Sequence, residues 1–268
     1  MLEQWADALS RDTATEWRGT GPYNMRRQHL YDREVGAAVR LLPGLPPKVL
    51  KALLFQESNL DPIAGNQYDC VGLAAFCRRA AKQEDLPMSP LFRDLDADAR
   101  YVPARAIEAA VRHLARKADL LEKDAFVRFG APRGRDYWAF VLAAYNGGHD
   151  QVAEAMENAH EVGLLLAKER GLRGAPAQAF ARRHASAWEN LLAPDEELED
   201  SPLYAMTRRR YAWYSPYGRY RKMKGAEAKY HEIGQFPLDI LDRAFEDPRS
   251  LAAPPVRPLP QRSPSPAP

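Results

Sequence analysis

The chain has 268 residues, of which 46% are hydrophobic and 28% charged, so it can bury one sizeable core or two small ones as a globular protein. A formal net charge of +2 is too small to make the whole molecule a polyanion binder. No run of about 18 or more apolar residues is present, which excludes a predicted transmembrane helix.

Alanine, leucine and arginine are abundant whereas valine, isoleucine and threonine are sparse, which favours helices over strands. We therefore predict a mainly α-helical fold. The two cysteines, Cys70 and Cys77, are too few for a four-ligand zinc site or a disulfide scaffold, and we expect neither a metal nor a cofactor. We expect both cysteines to be partly buried thiols, with a bond between them as the alternative.

The first third of the chain predicts an extension, three helices and a long loop. Residues 1–28 form a predicted N-terminal extension with one short amphipathic stretch. Apolar spacing predicts a helix from His29 to Leu42. The proline pair at 46–47 predicts a second helix, from Pro47 to Glu57 or Ser58. The next segment, NLDPIAGNQYDC, is rich in turn residues, and a third helix is predicted from about Gly72 to about Glu84.

The middle of the chain gives the clearest helical patterns. The segment PARAIEAAVRHLARKADLLEK, starting at Pro103, places apolar residues on one stripe and charges opposite. Asp136 is a predicted N-cap for DYWAFVLAAY, which is apolar nearly all round and so predicts a central, buried helix. That helix should end at Asn146-Gly147-Gly148. Two more helices are predicted, Gln151 to Glu169 and Pro176 to Leu192.

The C-terminal part changes in composition. An acidic link, DEELED, precedes the segment from Leu203 to Lys224, which holds seven basic residues, no acids and many tyrosines. The final residues, APPVRPLPQRSPSPAP, hold seven prolines and predict a disordered tail over 251–268.

One acid interrupts an apolar face. Counting back from Glu57 by three, four and seven residues gives Leu54, Leu53 and Leu50, which lie on the same side of a helix. Desolvation by these leucines and the negative helix C-terminus should both raise the pKa of Glu57. A carboxyl that keeps its proton near neutral pH is suited to general acid catalysis. The alternative is that Glu57 turns outward or pairs with an arginine.

Several segments together resemble the lytic transglycosylases that have a soluble-transglycosylase, goose-lysozyme-like domain. The family pattern is a helix ending in Glu-Ser, a loop, a Gly-Leu-Met-Gln-like segment, a long helix and a buried helix ending in Ala-Tyr-Asn. The matching segments, in the family's order, are Glu57-Ser58, Gly72-Leu73, the helix from Pro103, and Ala144-Tyr145-Asn146. The resemblance extends from about Asp32 to Gln151 and implies an all-α, lysozyme-like fold.

The resemblance also implies a function and a site. Peptidoglycan glycan strands would be the substrate, and Glu57 would be the sole acid and base in a cleavage that leaves a 1,6-anhydro end. The resemblance further implies the following substrate-binding residues: Ser58, Gly72, Leu73, Tyr145, Asn146 and, from a late helix, Tyr211. The alternatives are purely structural roles: a helix-end hydroxyl for Ser58, a left-handed cap for Asn146 and a core position for Tyr145.

One departure from the family pattern bears on activity. Ala74 and Ala75 stand where the family usually has Met and Gln, so the amide expected in the substrate groove is missing. A catalytically inactive glycan-binding or scaffold relative is therefore an alternative. A hydrolytic muramidase is another, although it requires a second carboxylate placed to activate water.

The resemblance divides the chain into four predicted parts. These are the extension 1–28, a lysozyme-like domain over 29–222 with an insert at about 150–200, a C-terminal extension over 223–250, and the tail 251–268. The substrate implies the periplasm or cell envelope. The N-terminus, MLEQWADALSRD, does not have the form of a secretory signal, so a removed leader or delivery by a phage or a secretion apparatus is expected.

The basic and tyrosine-rich segment has several possible partners. Arg208, Arg209 and Arg210 are predicted contacts for an anionic wall polymer, and the alternative is a solvated helix face. Nucleic acid is not the expected partner, because no recognised binding module accompanies the segment.

Overall fold

The computed structural model describes residues 30–91, 94–215 and 218–245. The predicted extension 1–28 and the predicted disordered tail 251–268 lie outside the described residues. The mainly α-helical prediction is confirmed, since the described residues form helices and only isolated β-bridges. The α helices are α1 (Asp32–Ala38), α2 (Pro47–Ser58), α3 (Arg78–Gln83), α4 (Pro103–Lys123), α5 (Ala125–Phe129), α6 (Gly134–Gly147), α7 (His149–Glu169), α8 (Gly174–Ala185), α9 (Pro202–Tyr211) and α10 (Gly225–Ala244).

Five short 3₁₀ helices connect these elements in the described part of the chain. They are Val39–Leu41, Ala99–Tyr101, Trp188–Leu191, Asp195–Asp200 and Gly218–Tyr220. The helix predicted over His29 to Leu42 is thus a shorter α helix that tightens into a 3₁₀ turn. The helix predicted over Pro176 to Leu192 is likewise α8 followed by a separate 3₁₀ turn.

Helix α6 lies at the centre of the fold, as its all-round apolar sequence predicts. It is buried from Tyr137 to Ala144 and packs against α4, α7 and α10. Asp136 is not its N-cap, because the helix begins two residues earlier, at Gly134. The Asp136 carboxylate instead accepts a hydrogen bond from the backbone N–H of Trp188 at 3.1 Å.

The C-terminal end of α6 is defined by a glycine. Gly148 has φ +102°, a conformation that favours glycine, and its N–H donates to the carbonyl oxygen of Ala144 at 2.9 Å. The chain turns there and continues directly into α7. The predicted stop at Asn146-Gly147-Gly148 is therefore confirmed.

The segment that follows α2 differs from its prediction. No helix starts at Gly72: Val71 and Phe76 exchange backbone hydrogen bonds at 3.2 and 3.0 Å around a tight turn, and the helix begins only at Arg78. Gly72 has φ +79° and Ala75 has φ +46°, and neither conformation fits a right-handed helix. We call residues 70–77 the tight turn.

A disulfide closes the tight turn and overturns the expectation of two free thiols. Cys70 and Cys77 flank the paired residues Val71 and Phe76, so the turn brings them together with Cα atoms 3.8 Å apart. The pairing depends on the turn geometry, which a helix over this segment would not allow.

A buried arginine holds the tight turn against the rest of the domain. The Arg100 guanidinium is fully buried, bonds the carboxylate of Asp98 at 2.7 Å, and donates to the carbonyl oxygens of Asp69 at 2.7 Å and Phe76 at 3.1 Å. Gly72 packs so closely on this segment that a Cβ there would lie 1.9 Å from the Arg100 carbonyl oxygen. The turn is thus fixed in position by charge pairing and by close backbone packing.

Helix α10 belongs to the same packed core. It contacts α2, α6 and α9. Gln56 Nε2 donates to Asp239 Oδ2 at 3.3 Å, and the Arg243 guanidinium lies 4.3 Å from the ring centroid of Phe55. Phe55 of α2 contacts Arg243, and the next residue, Gln56, contacts Asp239, which lies one turn earlier in α10. The two helices therefore run antiparallel.

Candidate active site

Glu57 lies in the last turn of α2, on the face that the sequence predicts. Leu50, Leu53 and Leu54 on that side are fully buried, whereas Glu57 itself is partly exposed. Within residues 30–91, 94–215 and 218–245, its carboxyl group has no hydrogen-bond or ion-pair partner. Burial and, to a lesser extent, the nearby charge of Glu232 raise the pKa of Glu57, Lys229 opposes both effects, and the resulting pKa is about 8. The side chain is therefore a protonated, unpaired acid at neutral pH.

Tyr145, in the last full turn of α6, lies beside this acid. Its hydroxyl donates to the carbonyl oxygen of Ala74 at 3.0 Å. Its ring centroid lies 5.2 Å from that of His113 and 6.4 Å from that of Phe76. Burial and the negative charges of Glu57 and Glu84 raise the pKa of Tyr145 well above its usual value, so the phenol stays neutral. Tyr145 is both a packed aromatic and a polar group near Glu57.

The Ala74 and Ala75 pair occupies the tight turn without supplying a side-chain amide. Ala74 is buried, and only its carbonyl oxygen is used, by Tyr145. Ala75 is partly exposed. The main chain of the turn thus bonds to Tyr145 where the family pattern would place longer side chains.

The other site residues of the family pattern have structural contacts. The Ser58 hydroxyl is buried and donates to the carbonyl oxygen of Leu54 at 2.9 Å, a bond within its own helix. Leu73 is fully buried in the core, and Gly72 allows the close approach of Arg100. Asn146 is partly exposed in the last turn of α6. Partial exposure distinguishes Asn146 from Ser58, Gly72 and Leu73, which are buried.

Tyr211 lies in a cluster contributed by the C-terminal helices. Its hydroxyl accepts a hydrogen bond from Gln151 Nε2. The Lys229 ammonium lies 5.5 Å from the centroid of the Tyr211 ring and 5.4 Å from that of Tyr214. Glu232 receives hydrogen bonds from both sides, from Lys229 Nζ at 2.5 Å and from the Tyr214 hydroxyl at 2.7 Å. We call Tyr211, Tyr214, Lys229 and Glu232 the C-terminal cluster.

Sequence reasoning missed Tyr214, Lys229 and Glu232. The available signal was a Lys and a Glu three residues apart in α10, among residues that are otherwise apolar on one side, such as Ala228 and Ile233. This pattern resembles the one that singled out Glu57, since charge on an apolar face needs a partner or a function.

The arginines of α9 do not support the predicted anionic polymer contact. Arg208 pairs with Glu199, and Arg209 and Arg210 both pair with Glu154, at 2.8 and 2.6 Å. Three arginines thus share two glutamates, so acids of the same protein balance part of their positive charge. These ion pairs join α9 to α7 and to the 3₁₀ helix Asp195–Asp200, and they give the predicted polymer contact no support.

Comparison with known families agrees with this geometry. Residues 38–163 match the model of the transglycosylase SLT domain. The matched segment runs from the end of α1 into α7, so it includes Glu57, the tight turn and Tyr145 but not the C-terminal cluster. No curated protein matches the chain.

The family is one of lysozyme-like helical domains with lytic transglycosylase-type activity on peptidoglycan. In the described part of the chain, no helix combines the length and the apolar character needed to cross a membrane. Over residues 38–163 the chain thus matches the transglycosylase SLT domain, and this match supports a lytic transglycosylase family with a lysozyme-like domain.

Proposed function

We propose that this protein cleaves the β-1,4 bond between N-acetylmuramic acid and N-acetylglucosamine in peptidoglycan strands, with Glu57 as the single acid and base. The observation that carries the proposal is the unpaired, partly exposed carboxyl of Glu57, whose pKa is raised to about 8. Such a group holds a proton at neutral pH and has no other role in the described packing.

The proposed reaction has two proton transfers. The Glu57 carboxyl first donates its proton to the glycosidic oxygen, and the bond from that oxygen to C1 of the muramic acid breaks with its electron pair leaving on the oxygen. The Glu57 carboxylate then takes the proton of the sugar's own 6-hydroxyl while that oxygen bonds to C1. The products are a free 4-hydroxyl and a 1,6-anhydro ring, and the enzyme regains its proton.

The hydrogen bonds of Glu232, the carboxylate whose charge acts on Glu57, support this route over hydrolysis. An inverting hydrolase needs a free carboxylate to activate water. Both oxygens of Glu232 already accept hydrogen bonds, from Lys229 and Tyr214. A carboxylate engaged in this way is a weak base toward water, which favours an internal nucleophile.

The disulfide supports a place of action in the cell envelope. Structural disulfides persist in oxidising compartments and are rare in the cytosol. The Cys70–Cys77 bond lies beside the candidate site, in the turn that meets Tyr145. We propose that the protein acts in the periplasm or another part of the envelope.

Digestion of purified peptidoglycan tests the function, with mass spectrometry of the released ends. We expect 1,6-anhydro ends from the wild-type protein and none from Glu57→Gln, with a rate loss of about 10³-fold or more. Free reducing ends would show a muramidase instead. No release, with retained binding to sedimented sacculi, would show an inactive glycan-binding relative, which the missing amide at Ala74 and Ala75 favours.

A further inference from the structure

Helix α10 brings a fixed pair of charges to the candidate acid. Lys229, Glu232, Asp239 and Arg243 follow one another at spacings of three, seven and four residues, so they share one face of α10. The C-terminal part of this face contacts α2 through Asp239 and Arg243. Because the helices run antiparallel, the end of α2 at Glu57 lies toward Glu232 and Lys229.

The pair is held in place from several sides. Lys229 is buried, lies over two tyrosine rings and donates to Glu232 Oε1. Tyr214 donates to the other oxygen, Oε2. Burial and this hydrogen bond to Glu232 raise the pKa of Tyr214, so its proton stays in place. Gly225 allows the approach of α10, since a Cβ there would lie 2.1 Å from the Tyr214 carbonyl oxygen.

The groups around Glu57 separate into charged and neutral ones. On α10, Glu232 and Lys229 act on its carboxyl with opposite signs, and Asp239 is engaged with Gln56 and Arg219. Helix α6 contributes the neutral phenol of Tyr145. The segment from 211 to 214 contributes the phenols of Tyr211 and Tyr214, which bond Gln151 and Glu232. The charge balance at the acid is therefore set by the pair on α10.

We propose that Lys229 and Glu232, which lie outside the family-matched segment, are positioning residues that adjust the protonation of the desolvated Glu57 carboxyl: Glu232 helps Glu57 to keep its proton, and Lys229 limits this effect. The inference rests on the proposed role of Glu57 as the acid. It gives α10 a part in the chemistry that acts through Glu57, beyond closing the core. It also explains why Lys229, a buried lysine, is kept with its partly exposed partner Glu232 where apolar residues would pack at least as stably.

The test is the pH dependence of peptidoglycan cleavage in single-charge variants. The acid step is lost as pH rises through the pKa of Glu57, which gives the profile an alkaline limb. We expect Glu232→Gln to move this limb to lower pH and Lys229→Met to move it to higher pH, each by about one pH unit. A matched control is Glu227→Gln, a carboxylate of the same helix that acts on Tyr204 instead, and its limb should not move.

Opposite shifts are the signature that a merely structural role does not produce. Equal losses of maximal rate with an unmoved limb, or shifts in the same direction, would overturn the proposal. The double variant Lys229→Met/Glu232→Gln leaves no unpaired charge, so it guards against misfolding of either single variant. Its limb should lie between those of the two single variants, and a limb outside that range would also count against the proposal.

A second readout is independent of catalysis. The Glu57 carboxyl carbon is followed by ¹³C NMR titration and assigned by its loss in Glu57→Gln. The midpoint should fall in Glu232→Gln and rise in Lys229→Met. If the wild-type protein cleaves nothing but these midpoints move, the proposed function fails and the electrostatic inference stands. If the protein cleaves and the midpoints stay fixed, the inference alone fails.

Discussion

The hydroxyl of Tyr145 donates a hydrogen bond to the carbonyl oxygen of Ala74 at 3.0 Å, joining the last turn of α6 to the tight turn. The two segments are far apart in the chain, yet both belong to the motifs that identify the family. The bond uses main chain, so it is independent of the departure from the family pattern at positions 74 and 75. It sets the distance between the turn and the region beside Glu57.

Tyr145→Phe removes this bond while keeping the ring contacts. We expect a loss of about 1 kcal/mol in the free energy of unfolding and a fall in turnover of up to about 100-fold, because a displaced turn misplaces the substrate. Tyr137→Phe is the matched control, since its hydroxyl bonds Glu122 at 2.7 Å on another part of the fold. Equal effects of both variants on turnover would contradict the role of Tyr145.

Glu57→Gln should stabilise the protein at neutral pH. The pKa of Glu57 rises from 4.5 to about 8 on folding, so between these values the folded state binds a proton that the unfolded state releases. The free energy of unfolding therefore falls as pH rises through this window. Glutamine does not titrate, and we expect the variant to be more stable by about 0.5–2 kcal/mol near pH 7.

Urea unfolding across a pH series measures this difference. The stability advantage of Glu57→Gln should disappear near pH 4, where the wild-type carboxyl is protonated in both states. Parallel stability curves for the two proteins would mean that Glu57 is not a retained acid.

Loss of the disulfide should loosen the tight turn. We expect Cys77→Ser, or reduction of the wild-type protein, to lower the free energy of unfolding by about 2–3 kcal/mol. Turnover should fall as well, because the bond encloses the Ala74 carbonyl that holds Tyr145. Thermal melting with and without reductant measures the first effect. The double variant Cys70→Ser/Cys77→Ser is the control and should not respond to reductant, as the chain has two cysteines.

Trp213 is a candidate glycan contact. Its side chain is 79% exposed, and its ring lies 6.3 Å from that of Tyr211 in the C-terminal cluster. Exposed aromatic faces next to a polar site are suited to bind ligand rings. We expect Trp213→Ala to weaken binding to sacculi and raise KM, with a change in stability below about 0.5 kcal/mol. Leu165→Ala, another exposed apolar residue, should change neither binding nor KM.

The long helices were predictable because their patterns are local. The stripe of α4 and the all-round apolar sequence of α6 each extend over several turns, and both helices form where expected. Helix α3 was predicted too early, since nothing in a run of small residues reveals that Gly72 and Ala75 take left-handed conformations. Helix α10 was not predicted: Gly234 and Pro237 interrupt its pattern, and tertiary packing overrides that local cost.

At the candidate site, too, local sequence pattern determined one part and tertiary packing the other. The sequence by itself determined that Glu57 ends a helix whose other residues on that side are leucines, because a period of 3.6 residues decides which side chains share a face. Only the tertiary structure decided which charges surround that acid. The packing of helices brings the charges of Lys229 and Glu232 close enough to act on this acid, and the geometry of a turn brings Cys70 to Cys77. Such contacts depend on where whole elements lie in space, which no local periodicity encodes.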